Sequence, residues 1–238
     1  MPLTLVIFYV DNRPWLADLT RPVNLARPVS LDGSGSSWFG APPPRGAPLR
    51  MPGFVGRVAE GGSVNVAVLS LAPHCAGTHT ESSAHITERA NPINAVATPG
   101  LIPASLVTMA GGSAAELRDR LDEAQSGFLE GLIIRQPSPG PFEPEALSLA
   151  VTRGVRHLLV EAPSVDPESD GGRLDAHRAF WGLPAGHPEG TSARTITELV
   201  RVPADARDGA FLLDLQLPSL TTDAVPSRPV LYPVLPTE

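Results

Sequence analysis

Apolar and polar positions along the chain change rhythm several times, and each rhythm predicts a different element. Phe54-Val55-Gly56-Arg57-Val58-Ala59 and Val64-Asn65-Val66-Ala67-Val68-Leu69-Ser70-Leu71 alternate on either side of Glu60-Gly61-Gly62, which reads as a hairpin with a glycine turn. Between Ser113 and Gln125 the spacing of Ala114, Leu117 and Leu121 among charged residues predicts an amphipathic helix, with Ser113 as its cap and Glu116 three residues on. Glu130 to Arg135 reads as a strand, Glu143 to Arg153 as a second helix after Pro141 and Phe142, and His157 to Glu161 as a buried strand. A strand, helix and strand in that order predict a parallel pair joined by a right-handed crossover. Further on, the pattern predicts a helix from near Leu174 that presents His177, a strand over Thr195 to Val200, and closing strands over Phe211 to Leu217 and Arg228 to Val234. Met1 to Val10 reads as a buried strand, and the proline run Ala41 to Pro48 as an extended loop, because proline suits neither a helix interior nor a central strand.

Length and charge narrow the function classes. At 238 residues and 42% hydrophobic content the chain buries a full core and is expected to form one α/β domain over residues 1–238. A formal charge of −7 excludes a nucleic-acid footprint and a polybasic membrane patch, both of which need clustered cations. Every basic residue is Arg, which excludes lysine-based covalent chemistry. A lone cysteine forms no internal disulfide, and the apolar first ten residues lack a basic leader, so a cytoplasmic protein is expected.

The segment His74-Cys75-Ala76-Gly77-Thr78-His79-Thr80-Glu81-Ser82-Ser83-Ala84-His85 gathers three of the six histidines, the only cysteine and a carboxylate. Imidazole, thiolate and carboxylate are the side chains that bind zinc and similar ions, and a Gly-Thr turn lets the backbone fold several of them toward one point. A polar loop that is merely rich in histidine is the competing reading. For Cys75 the competing role is a small buried hydrophobe, and for His177 and His85 a hydrogen-bonded structural histidine.

Gly77-Thr78-His79-x-Glu81-x-x-x-His85 resembles the signature His-x-Gly-Thr-His-x-Asp-x-Pro-x-His of the metal-dependent cyclase-like hydrolases, the family of bacterial kynurenine formamidase and isatin hydrolase. Cys75 stands at the first His, Glu81 at the Asp and Ser83 at the Pro of that signature. Other stretches resemble family elements in the same order: Leu16 to Pro22, Trp38 to Pro42, Val160 to Pro167, Asp175-Ala176-His177-Arg178, Thr197-Glu198-Leu199, Leu217-Pro218 and Pro226 to Val230. The resemblance implies a swivelling β/β/α domain with a mixed central sheet or barrel-like core. It implies metal ligands at Cys75, His79, Glu81, His177 and Glu198, and an acid–base histidine at His85. His74 competes with Cys75 for the first ligand position. Zinc is the expected ion, with manganese the alternative, and the longer Glu81 favours one ion over two. The implied activity is hydrolysis of a C–N amide bond in a small aromatic formamide or cyclic amide, with N-formylkynurenine of tryptophan catabolism as the default substrate. A lactone hydrolase, or an inactive member that binds a small molecule or a partner, stays open beside it. The resemblance also implies a homodimer or larger homo-oligomer, with a small-molecule substrate and neither nucleic acid nor membrane as partner.

Overall fold

A computed structural model describes residues 5–88, 91–97 and 100–237; Met1 to Thr4, at the start of the expected first strand, lie outside the described residues. The chain divides into two compact units, Met1–Arg27 with Thr78–Glu238, and Pro28–Gly77. The first unit opens with strands β1 (Leu5–Val10), β2 (Arg13–Asp18) and β3 (Val23–Asn24). The second comprises β4 (Arg45–Pro48), β5 (Arg50–Met51), β6 (Phe54–Val55), β7 (Ala67–Ser70) and helix α1 (Pro73–Ala76). The first unit then resumes with β8 (His79–Glu81), α2 (Ile93–Val96), β9 (Leu101–Thr108), α3 (Ala114–Glu123), β10 (Gly131–Arg135), α4 (Pro144–Thr152) and β11 (His157–Val160). It closes with α5 (Asp175–Trp181), β12 (Thr195–Glu198), β13 (Gly209–Gln216), β14 (Ala224–Pro226) and β15 (Arg228–Pro236).

Eleven strands of the first unit form one mixed sheet in the order β1-β2-β15-β13-β9-β10-β11-β12-β8-β14, with β3 beside β15. The strands β9 to β12 are parallel, and β8 runs antiparallel between β12 and β14. Side chains of a strand point to opposite faces in turn, so Leu132 and Ile134 of β10 and Leu158 and Val160 of β11 enter one apolar cluster, while Ile133 and Leu159 enter another. The first cluster includes Leu117 and Leu121 of α3, Leu147 of α4, and Phe180 and Trp181 of α5. The second is built with Leu106, Leu213 and Leu231 of neighbouring strands. Both faces of the parallel strands are therefore covered, as the unbroken apolar runs of their sequence require.

The Ser113 hydroxyl accepts the Glu116 N–H at 3.3 Å and caps α3. Glu116 itself turns back to the backbone N–H groups of Ala110 and Gly111 at 2.6 and 3.1 Å. β1 forms as a strand, but it pairs only with β2 at the edge of the sheet, and Ile7 and Tyr9 are 61% and 70% exposed. The expectation of a buried first strand is corrected accordingly. Among the described residues, no helix is long and apolar enough to cross a membrane.

The second unit corrects the hairpin expected over residues 53–71. β6 pairs with β5, Val58–Glu60 forms a 3-10 turn, and β7 takes its partner from the proline-rich stretch, pairing with β4. Gly56 sits where the three segments meet: its N–H donates to the Leu49 carbonyl, its carbonyl accepts the Val66 N–H at 3.0 Å, and a Cβ there would lie 2.3 Å from the Val66 carbonyl oxygen. The close approach at that point requires glycine, and the two alternating segments share this bond without forming a paired strand ladder. Pro48, the one proline of β4, fits because that strand belongs to a two-stranded sheet.

Truncation of Ile134, fully buried in the first cluster, should cost about 2–5 kcal/mol as Ile134→Ala, whereas Val68→Ala at an exposed position should change stability by less than about 0.5 kcal/mol. Chemical denaturation of both variants checks the assignment of inside and outside.

Candidate metal centre

Strand register assembles the first part of the site. His79 of β8 lies directly across from Glu198 of β12, and Glu81, two residues further along β8, points to the same side as His79. The His79 Nε2 is 3.4 Å from a Glu198 oxygen, and His79, Glu81 and Glu198 are all buried. Between them Thr80 bonds Thr197 hydroxyl to hydroxyl at 2.8 Å, which locks the register.

A turn at Leu199 fixes where Glu198 sits. Leu199 has φ 57, a left-handed conformation that costs a residue with a side chain about 1–3 kcal/mol unless its surroundings impose it. They do so here. Its N–H donates to the Ala162 carbonyl, and its own carbonyl accepts from the Arg27 Nε and from the Thr78 hydroxyl at 3.0 and 2.7 Å. Thr78, in the Gly-Thr-His stretch, is thus a structural tie between the start of β8 and the end of β12. Glu198 also accepts the Val165 N–H at 2.9 Å.

The second part comes from α5. His177 Nε2 lies 3.0 Å from Glu81 Oε1 and 3.6 Å from Glu198 Oε1, while its Nδ1 lies 2.5 Å from Asp166 Oδ2. Asp166 also accepts the N–H groups of Ala176 and His177 at 2.8 and 3.0 Å, which caps a helix whose own Leu174 gives no side-chain cap. One imidazole therefore sits among three buried carboxylates. Burial alone would push the His177 pKa down, but the Glu81 charge, the hydrogen bonds to Asp166 and Glu81, and the Glu198 charge together hold it up at about 10. Asp166 is lowered: burial works against its ionised form, and the hydrogen bonds from the His177 ring and from the backbone of Ala176 and His177 outweigh that. His157, buried at the opposite end of the sheet's parallel strands with Nδ1 2.8 Å from the Thr195 hydroxyl, is pushed down to about 4 by burial and by Arg156.

His85 ends a 3-10 turn over Ser83–His85, which the Ser82 hydroxyl caps. Its ring centroid is 5.7 Å from that of His177, its side chain is 30% exposed, and its Nδ1 lies 3.7 Å from an Asp223 oxygen. Glu81, His85 and His177 present ligand atoms within 4.8 Å of one another. The first unit thus brings together His79, Glu81, His177 and Glu198, with His85 on the exposed side. Cys75 and His74 are successive residues of α1 in the second unit, and burial pushes the Cys75 thiol up. Sequence reasoning did not single out Asp166, Thr78 or Asp223; for Asp166 the signal was its place in Ser164-Val165-Asp166-Pro167, just past a buried strand and eleven residues before His177. The buried set fits a divalent ion: three carboxylates against one imidazolium leave net negative charge, and an ion that takes the place of the His177 Nε2 proton would offset it while His79, Glu81 and Glu198 offer further donor atoms.

No family model matches the chain. It is 28% identical over 180 residues to the kynurenine formamidase of Bordetella pertussis, an alignment that covers 71% of this chain and 80% of that protein. Its fold matches that of a potential metal-dependent hydrolase with cyclase activity at a TM-score of 0.66 and 14% identity, over 89% of this chain and 97% of the other. It also matches isatin hydrolase A from Labrenzia aggregata at a TM-score of 0.59 and 13% identity, over 89% and 93% of the two chains.

The raised His177 pKa has a consequence for stability without metal. A group whose folded pKa lies near 10 against an ordinary 6.5 contributes stability in full below about pH 6.5 and loses it as pH rises through about 10. In chelator, the melting temperature of the wild type should therefore fall relative to that of His177→Gln as pH is raised across that window. Parallel pH profiles for the two proteins would show that His177 is not charged in the folded state.

Proposed function

We propose that this member of the metal-dependent cyclase-like hydrolase family cleaves the C–N bond of a small aromatic formamide or cyclic amide. The observation that carries the reading is the buried convergence of His79, Glu81, His177 and Glu198, closed by Asp166, in a chain similar to a kynurenine formamidase. Those four side chains would hold a divalent ion, with Cys75 as a further ligand by its place in the signature. Zinc suits imidazole and thiolate donors better than manganese does, and Glu81, a methylene longer than the family's Asp, favours a single ion. When bound, the ion acidifies water and polarises a carbonyl.

The chain's own residues supply the rest. His79, Glu81 and Glu198 lie at 0–3% exposure, where a low dielectric strengthens every charge interaction with a substrate carbonyl. His85, whose ring lies near that of His177 and whose side chain is 30% exposed, would take the proton of the attacking water. His85 then returns that proton to the nitrogen as the C–N bond breaks, so water is split between the acyl and amine products.

Protein loaded with zinc should carry about one ion per chain, and His79→Ala should remove most of it, since a closed site depends on all its ligands. His85→Ala should keep the zinc and lose about 10²–10⁴-fold in turnover. Turnover should be measured on N-formylkynurenine, an isatin-like cyclic amide and a simple lactone, with metal content determined on the same samples. Zinc near zero in the wild type under zinc-replete conditions would overturn the metal-dependent reading, and an unchanged rate for His85→Ala would remove that residue from the chemistry.

A further inference from the structure

We infer that Asp166 is a positioning residue: its carboxylate holds the Nδ1–H of His177 and so turns Nε2 of that ring toward Glu81 and Glu198. The geometry is specific. Asp166 Oδ2 accepts from both the ring Nδ1 and the backbone N–H of His177, at 2.5 and 3.0 Å, while Oδ1 accepts from Ala176 at 2.8 Å. The carboxylate grips ring and helix together, which removes the freedom of the imidazole to rotate against its own backbone. A carboxylate behind a metal-binding histidine fixes the tautomer and makes the facing nitrogen a better donor.

The neighbouring residue gives the arrangement a second arm. The Val165 N–H donates to Glu198, the other group that faces His177 Nε2. The turn Ser164-Val165-Asp166 therefore positions two members of the cluster from one short piece of chain, and it is tied down by the Phe142 N–H on the Val165 carbonyl. A residue serving only as a helix cap would need one backbone contact and no hold on the ring.

The bearing of Asp166 on metal rests on the hydrolase reading, whereas its hold on the ring does not, and the experiment separates the two. Asp166→Asn leaves a single uncharged oxygen for the three N–H groups that the two carboxylate oxygens hold, so the ring N–H meets either an amide nitrogen or a weaker, neutral acceptor. In metal-free wild-type protein, proton–nitrogen NMR should show an exchange-protected, low-field Nδ1–H resonance, assigned by its loss in His177→Gln. Asp166→Asn should lose that low-field resonance and bind zinc about 10–100-fold more weakly in competition with a chelator, both measured well below the melting transition of the variant. Absence of the resonance in the wild type, its survival in Asp166→Asn, or unchanged zinc affinity in that variant would each overturn the inference. If the wild type itself takes up no zinc, the hydrolase reading fails, and the resonance alone decides the role of Asp166.

Discussion

The convergence of Glu81, Glu198 and Asp166 on the imidazole of His177 is the constraint on which the first unit turns. Three carboxylates taken out of water repel one another and lose their hydration, and in the metal-free protein the cationic His177 ring in their midst offsets that. The contrast with His157 makes the point physically. Both histidines are buried, yet one is pushed down to about 4 and the other held up at about 10. Burial acts on both in the same direction; the charges and hydrogen bonds around His177 reverse it. A fold that keeps such a cluster has arranged its strands and turns around it, and the left-handed Leu199 with its three hydrogen bonds is the visible cost.

The parallel core was legible in the sequence because its chemistry is one-dimensional. The runs Leu132-Ile133-Ile134 and Leu158-Leu159-Val160 have no polar face to offer solvent, so they must be strands with both sides covered, and Ser113 marks the start of α3 by its own hydroxyl. The alternating stretch from Phe54 to Leu71 was misread for a related reason. Alternation predicts a strand with two unlike faces but does not name its partner, and β7 pairs with β4, from the proline-rich stretch before it, and not with β6. Likewise, the apolar residues of β1 do not reveal that the strand lies at an edge.

At the site, residue types were readable and their relations were not. Histidine and glutamate in the Gly-Thr-His stretch announce ligand chemistry by identity alone. That His79 faces Glu198 is a matter of antiparallel register across 119 residues of sequence, and that Asp166 holds His177 depends on a turn and a short helix meeting in space. Thr78 hides its role most completely, since the motif shows only a Gly-Thr turn and its hydroxyl serves to bind the Leu199 carbonyl.

The Ser164 to Asp166 turn treats its two charges differently, and that difference governs how the sequence can drift. Glu198 is held by the main-chain N–H of Val165, a group every residue except proline possesses, so position 165 answers to the apolar packing of its side chain and not to the chemistry of the site. His177 is held by the side chain of Asp166, and no other amino acid presents a carboxylate at that reach. Adjacent positions in one turn thus sit under unlike selection, one open to any apolar replacement of similar volume and the other closed.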